Sequence, residues 1–132
     1  HQRRTSKVNN GMQKGAEGDS NAILAYNTFH MAVEAYPKLV VTDGFEGMEG
    51  RGTSQGTPTA SRMAIASVDP LAANTLGAAM MGFNPKKILY LASMAEGGMG
   101  QGDIARMNIL GDRPEECIHP FAPSPTLNFS AV

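Results

Sequence analysis

Apolar residues recur at helical spacing in three segments of the chain. The first helix is predicted over residues 20–36, where apolar side chains return every three or four positions until Pro37 ends the pattern. A small-residue helix is predicted over 71–81 and a third over 85–95, each opened by a capping residue followed by proline: Asp69-Pro70 and Asn84-Pro85. Three helices of ordinary length follow from this pattern.

Two short apolar runs rich in β-branched or small residues lie between the first and second helices. Residues 38–43 and 62–67 are predicted as buried strands, and 106–110 as a further strand. The order of elements predicts an α/β fold, with a small mixed or parallel sheet covered by about three helices, forming part of a larger α/β domain. Residues 1–112 are assigned to this domain and 113–132 to a proline-rich tail that wraps a surface or extends towards a partner.

Composition narrows the class of protein without identifying a function. The 132 residues suffice for one domain, and a net charge of −1 gives no general attraction for nucleic acid. The single cysteine leaves no room for an iron–sulfur cluster within the chain. Apolar stretches are too short for a membrane-spanning helix, so we expect no membrane span and a cytoplasmic protein, or an exported one if a signal precedes His1.

Candidate chemistry is concentrated in a glycine-rich stretch over residues 44–58. Asp43, Glu46 and Glu49 follow one another at a spacing of three, just beyond a predicted strand, and offer hard oxygen ligands for a divalent cation. The neighbouring backbone of Gly50, Arg51 and Gly52 suits an anion instead, because glycine lets amide groups approach a ligand closely. A metal-bridged phosphate or carboxylate would satisfy both, and the alternative is a solvated loop with capping acids.

Asp69 is the fourth predicted metal ligand, since it follows the second buried strand. If the two strands are neighbours, Asp43 and Asp69 lie at one sheet edge and line one pocket with the glycine-rich loop. The alternative is that Asp69 only caps the following helix. Cys117 and His119 supply too few ligands for a metal site and are interpreted as structural.

The order of these motifs resembles domain-of-unknown-function family 362. The likeness covers roughly residues 1–112 and rests on Asp43-Gly, Met48-Glu-Gly-x-Gly, Ala66-Ser-x-Asp, Met81-Gly, Gly98-Met-Gly and Leu110-Gly. The front segment, His1, Thr5 and Lys7-x-Asn9, is similar to a stretch of that family, so His1, Lys7 and Asn9 join the predicted ligand-binding residues.

The resemblance implies an α/β protein of roughly twice this length, of which the chain would be the C-terminal part. It also implies that some members carry ferredoxin-type iron–sulfur modules or export signals. Two hypotheses follow: an enzyme-like site that binds a divalent metal or an anion, or a non-catalytic accessory module of an iron–sulfur redox system that docks a ferredoxin-like module. We further expect an exposed apolar sheet face or edge, covered by a missing N-terminal half or by a second copy of the chain.

Overall fold

The computed structural model describes residues 17–52 and 54–125. The chain divides after Tyr36 into two compact units. The first unit contains helix α1, Glu17–Glu34, which confirms the helix predicted over 20–36. It ends shortly before Pro37, because proline disfavours helical geometry in the residue ahead of it and cannot donate a backbone hydrogen bond.

The second unit begins with four strands arranged as two antiparallel pairs. Strand β1, Val40–Gly44, pairs with β4, Met63–Ser67, and between them β2, Gly47–Glu49, pairs with β3, Thr57–Thr59. The α/β class and the small sheet with about three helices are confirmed. The expected parallel direction is not found, because β1 and β4 are joined through a hairpin, whereas parallel neighbours need a crossover connection.

Helix α2, Pro70–Met80, and helix α3, Leu89–Glu96, confirm the second and third predicted helices. The third is preceded by a separate 3₁₀ turn, Pro85–Lys87, in which the Asn84 side chain accepts a hydrogen bond from the Lys86 amide. The two cap-plus-proline signals in the sequence therefore mark real element starts, but only one of them opens an α-helix directly.

The core of this unit lies between β4 and α2. Ile65, Ala73 and Met80 form a buried cluster, with Val40 and Cys117 packed against it. Cross-strand neighbours Val41 and Ala66 point to the other face of the pair, where Val41 is 70% exposed. Val41 and Ala66 are therefore exposed while Ile65 is buried, and the covering of that face by a missing N-terminal half or a second copy stays a prediction.

The chain after α3 is built from short turns. The strand predicted over 106–110 is not formed, and the segment instead follows a 3₁₀ turn, Ile104–Arg106. Further on, the His119 amide donates to the Met80 carbonyl and the Phe121 amide to the Met81 carbonyl. These two hydrogen bonds attach residues 119–121 to the end of α2, and the role of the tail over 113–132 stays a prediction.

Within the described residues, no helix combines the length and apolar character that crossing a membrane requires.

Candidate functional site

The acidic side chains of the glycine-rich stretch are used by the fold itself. The Asp43 carboxylate accepts a hydrogen bond from the Phe45 amide at 2.9 Å, which closes the turn at the end of β1. Glu46, in the same turn, is exposed. Asp43 therefore shapes the local backbone, a role that its position before Gly44 already suggests.

Glu49 has a long-range partner that the sequence did not reveal. Its carboxylate accepts from the Ala122 amide at 2.7 Å, while the Gly50 amide donates to the Ala122 carbonyl at 2.9 Å. The two bonds join the hairpin to the tail across 73 positions of sequence. Only the tertiary structure brings these segments together, since neither segment carries a pattern that marks the other.

The hairpin loop carries the residues predicted to bind an anion. Gly50 has a φ of 73°, in the left-handed region that favours glycine, and Arg51 and Gly52 are exposed. Gly56 is required for packing, because a Cβ there would lie 2.5 Å from the Met48 side chain. Gly50 is thus explained by its backbone conformation and Gly56 by close packing.

Asp69 confirms the capping interpretation and adds a second role. One carboxylate oxygen accepts from the Ala72 amide at 3.0 Å and caps α2; the other accepts from the Gln101 amide at 2.7 Å. The backbone of Gly100 comes so close that a Cβ there would collide with the carboxylate, 2.9 Å from its carbon. Asp69 consequently fixes the glycine-rich segment over residues 97–102 to the start of α2.

The prediction that Asp43 and Asp69 line one pocket is wrong. Antiparallel pairing places Asp43 opposite Ala64, near the start of β4, whereas Asp69 follows the end of β4, beside Val40. The two carboxylates therefore lie at opposite ends of the pair. Among the described residues, no group of three or more histidine, cysteine or acidic side chains is placed to hold a metal ion. His1, Lys7 and Asn9 lie outside the described residues.

Cys117 and His119 are structural, as interpreted from the sequence. The His119 Nε2 atom lies 2.7 Å from the Thr59 hydroxyl, and the His119 ring meets Phe121 edge-on at 5.7 Å. Cys117 packs against the core instead of facing a shared ligand. The pair therefore anchors the tail to β3 and α2.

A groove of about 550 Å³ runs beside β4 and was not predicted. One wall is β4 with the two residues before it, the floor is α2, and the other wall is the segment after the Ile104–Arg106 turn. The lining residues are 61–67 on the first wall, Ala72, Ala73, Leu76 and Met80 on the floor, and 107–112, Pro114, Glu116 and Cys117 opposite.

Among residues 17–52 and 54–125, no strand pairs with the edge of β4 that faces away from β1. The Arg62 amide donates to the Phe45 carbonyl at 3.0 Å, so Arg62 and Phe45 face each other as a hydrogen-bonded pair. Hydrogen-bonded and non-hydrogen-bonded pairs alternate along β1 and β4 from this pair onwards. Ala64 and Ala66 then bond to β1, and Met63, Ile65 and Ser67 direct their N–H and C=O groups outward. In the described part of the chain, Met63 and Ile65 make no backbone hydrogen bond on that side.

Comparison with protein families identifies the chain. The family described as Domain of unknown function (DUF362) matches residues 3–79, more than half of the 132 residues. The chain belongs to the DUF362 family. Neither a curated protein nor a solved structure matches it.

The matched region of this DUF362 chain contains all four strands, nearly all of α2 and every predicted site residue except His1. The opposite wall of the groove, residues 107–117, lies after the match. One sequence feature lies at the groove: the segment predicted as a strand over 106–110 forms no strand, and its residues 107–110 line the groove. The resemblance beyond residue 79 stays a prediction.

Proposed function

We propose that this DUF362 chain is a binding module whose ligand occupies the groove beside β4. The observation that carries the proposal is the combination of an apolar floor, Ala72 and Leu76, with the outward backbone groups of β4. Ligand sites are commonly apolar cavities of about 300–1,000 Å³ that contain a few oriented polar groups. The groove has both features.

The backbone next to β4 supports the same proposal. Arg62 lines the groove and adopts a φ of 54°, in the left-handed region that residues other than glycine rarely occupy. Such strain is concentrated at functional sites, where the surrounding structure holds it in place. By contrast, the carboxylates of Asp43, Glu49 and Asp69 already accept backbone hydrogen bonds, which weakens the case for a metal centre built on them.

The test is an amide NMR titration of the full chain with N-acetyl-leucine methylamide, a probe that offers one apolar side chain and two amide groups. We expect shift changes along β4 and in residues 107–112. Ala72→Met fills the floor of the groove and should weaken binding at least about fivefold. Ala78→Met lies on the same helix outside the groove and should leave affinity within about twofold. Shift changes confined to other regions, or equal effects of the two variants, would contradict the proposal.

A second candidate is anion binding at the hairpin loop. Glu49 is turned onto the Ala122 amide, while Arg51 is exposed between Gly50 and Gly52. Inorganic phosphate should then shift the amides of residues 50–52, and Arg51→Ala should abolish the effect while Arg106→Ala preserves it. A parallel Mg²⁺ titration with Glu46→Gln tests the divalent-cation alternative, which predicts shifts in the same loop.

Docking of a ferredoxin-like module is one form that a binding module could take, and it stays a prediction.

A further inference from the structure

We infer that the ligand of the groove is a single extended peptide strand that pairs with the open edge of β4. The inference rests on the proposed function and specifies its ligand class. Addition of a strand to an exposed sheet edge is an established mode of peptide recognition, in which main-chain hydrogen bonds supply much of the affinity. The structure provides three independent reasons to assign it here.

The first reason is the pattern of hydrogen-bonding groups on the groove wall. Met63, Ile65 and Ser67 present N–H and C=O groups at every second residue, a repeat of about 6.8 Å along the strand. An extended backbone has the same repeat. In antiparallel pairing, the residue opposite each of these three exchanges both bonds with it.

The second reason is the opposite wall, which encloses the open edge of β4 within a groove. The Gln101 amide is bound to Asp69 beyond the end of β4, whereas the His119 amide is bound to the Met80 carbonyl at the far end of α2. Residues 107–112 therefore run along β4 in the opposite direction. The open edge of β4 therefore faces a groove with a second wall, a shape that suits an extended segment.

The volume agrees with a short peptide. With a rise of 3.4 Å per residue, about 4.8 Å between strands and about 10 Å between layers, one extended residue occupies roughly 160 Å³. The groove of about 550 Å³ thus accommodates roughly three to four residues. That number fits the stretch of β4 whose outward groups are available.

The third reason is the difference between the two faces of β4, which also predicts the side chains of the ligand. Ile65 points towards α2 and is buried, and Met63 packs against the same core cluster. Peptide residues opposite Met63, Ile65 and Ser67 share that face and should be apolar. The residues between them lie beside Ala64 and Ala66, which are exposed, and should be polar.

The test uses the full chain and the peptide acetyl-Val-Thr-Val-Thr-Val-amide, followed by hydrogen exchange and NMR. In the free chain, the amides of Met63, Ile65 and Ser67 should exchange faster than those of Ala64 and Ala66, which bond to β1. At saturation the peptide should slow exchange at the three outward amides by about tenfold or more. Ala72→Met should weaken binding, and Ala78→Met should not.

A matched pair of modified peptides separates strand pairing from simple apolar contact. N-methylation of the three valine amides removes the donors that face β4 and should abolish binding. N-methylation of the two threonine amides removes donors that face away from β4 and should preserve it. Equal binding of both peptides would overturn the inference.

Two further outcomes are decisive. If the outward amides of the free chain are already as protected as those of Ala64 and Ala66, a segment of the chain itself pairs with β4 and the inference is wrong. If N-acetyl-leucine methylamide binds the groove but the pentapeptide does not, the proposed binding function is supported and the inference that the ligand is a peptide strand is wrong.

Discussion

Glu49 on the hairpin and Asp69 beyond β4 perform similar tasks in different surroundings. Each carboxylate holds a distant segment by accepting its backbone amide, Ala122 for Glu49 and Gln101 for Asp69. Asp69 is partly buried, caps α2 and touches Gly100; the Glu49 bond is exposed to solvent. Acidic residues next to glycines can therefore link distant segments by hydrogen bonds. The burial of each carboxylate determines how much the free energy of unfolding depends on it.

The largest effect is expected at Asp69. Asp69→Ala removes a helix cap, worth about 1 kcal/mol, and a charged hydrogen bond to Gln101, worth about 1.5–3 kcal/mol. We expect the free energy of unfolding to fall by about 2–4 kcal/mol in urea denaturation. Asp103→Ala, which removes one exposed local cap on the Ala105 amide, is the control and should cost about 0.5 kcal/mol. Equal losses from the two variants would show that Asp69 is only a cap.

Gly100 provides a test of the contact itself. Gly100→Ala places a methyl group against the Asp69 carboxylate and should cost about 1–3 kcal/mol. In an Asp69→Ala background most of that penalty should vanish, which gives a coupling energy of at least about 1 kcal/mol. Gly98→Ala, at φ 69° with open space around it, is the control, because its backbone penalty should be independent of Asp69. Additive effects of Gly100→Ala and Asp69→Ala would refute the contact.

A smaller effect is expected at Glu49, whose hydrogen bond to the Ala122 amide is exposed to solvent. Glu49→Ala removes the bond to the Ala122 amide and should lower the free energy of unfolding by about 0.5–1.5 kcal/mol. The exchange rate of the Ala122 amide should rise at the same time. A loss as large as that of Asp69→Ala would mean that solvent exposure does not weaken the Glu49 bond, and the comparison would fail.

The smallest effect concerns pH and the Tyr90 side chain. Burial raises the pKa of Tyr90, on α3, above its ordinary value of 10.0. The unfolded protein releases the Tyr90 proton at a lower pH than the folded protein does. The contribution of Tyr90 to the free energy of unfolding is therefore complete below pH 10.0 and declines as the pH rises towards the higher pKa of the folded state. Tyr90→Phe should therefore lose less stability between pH 9 and pH 11 than the unmodified chain, measured by urea unfolding. An identical decline in both would contradict the shift.

Local features were predicted well because they depend on neighbouring residues. The caps at Asp69 and Asn84 and the end of α1 before Pro37 follow from side chains within a few positions of each element. Predictions that needed strand direction were less successful. Asp43 and Asp69 were expected together because two buried strands were taken to run the same way, and the hairpin between them reverses one.

The sequence by itself determined the class of elements, the three helices, the family and the positions of the candidate residues. The tertiary structure alone decided what those residues contact, because Glu49 and Ala122 are 73 positions apart and Asp69 and Gln101 are 32 apart. It also decided that, within the part of the chain that the structure describes, β4 pairs on one edge only. Hydrophobic periodicity reports which side of an element is buried, but it carries no information on which distant backbone lies beside it.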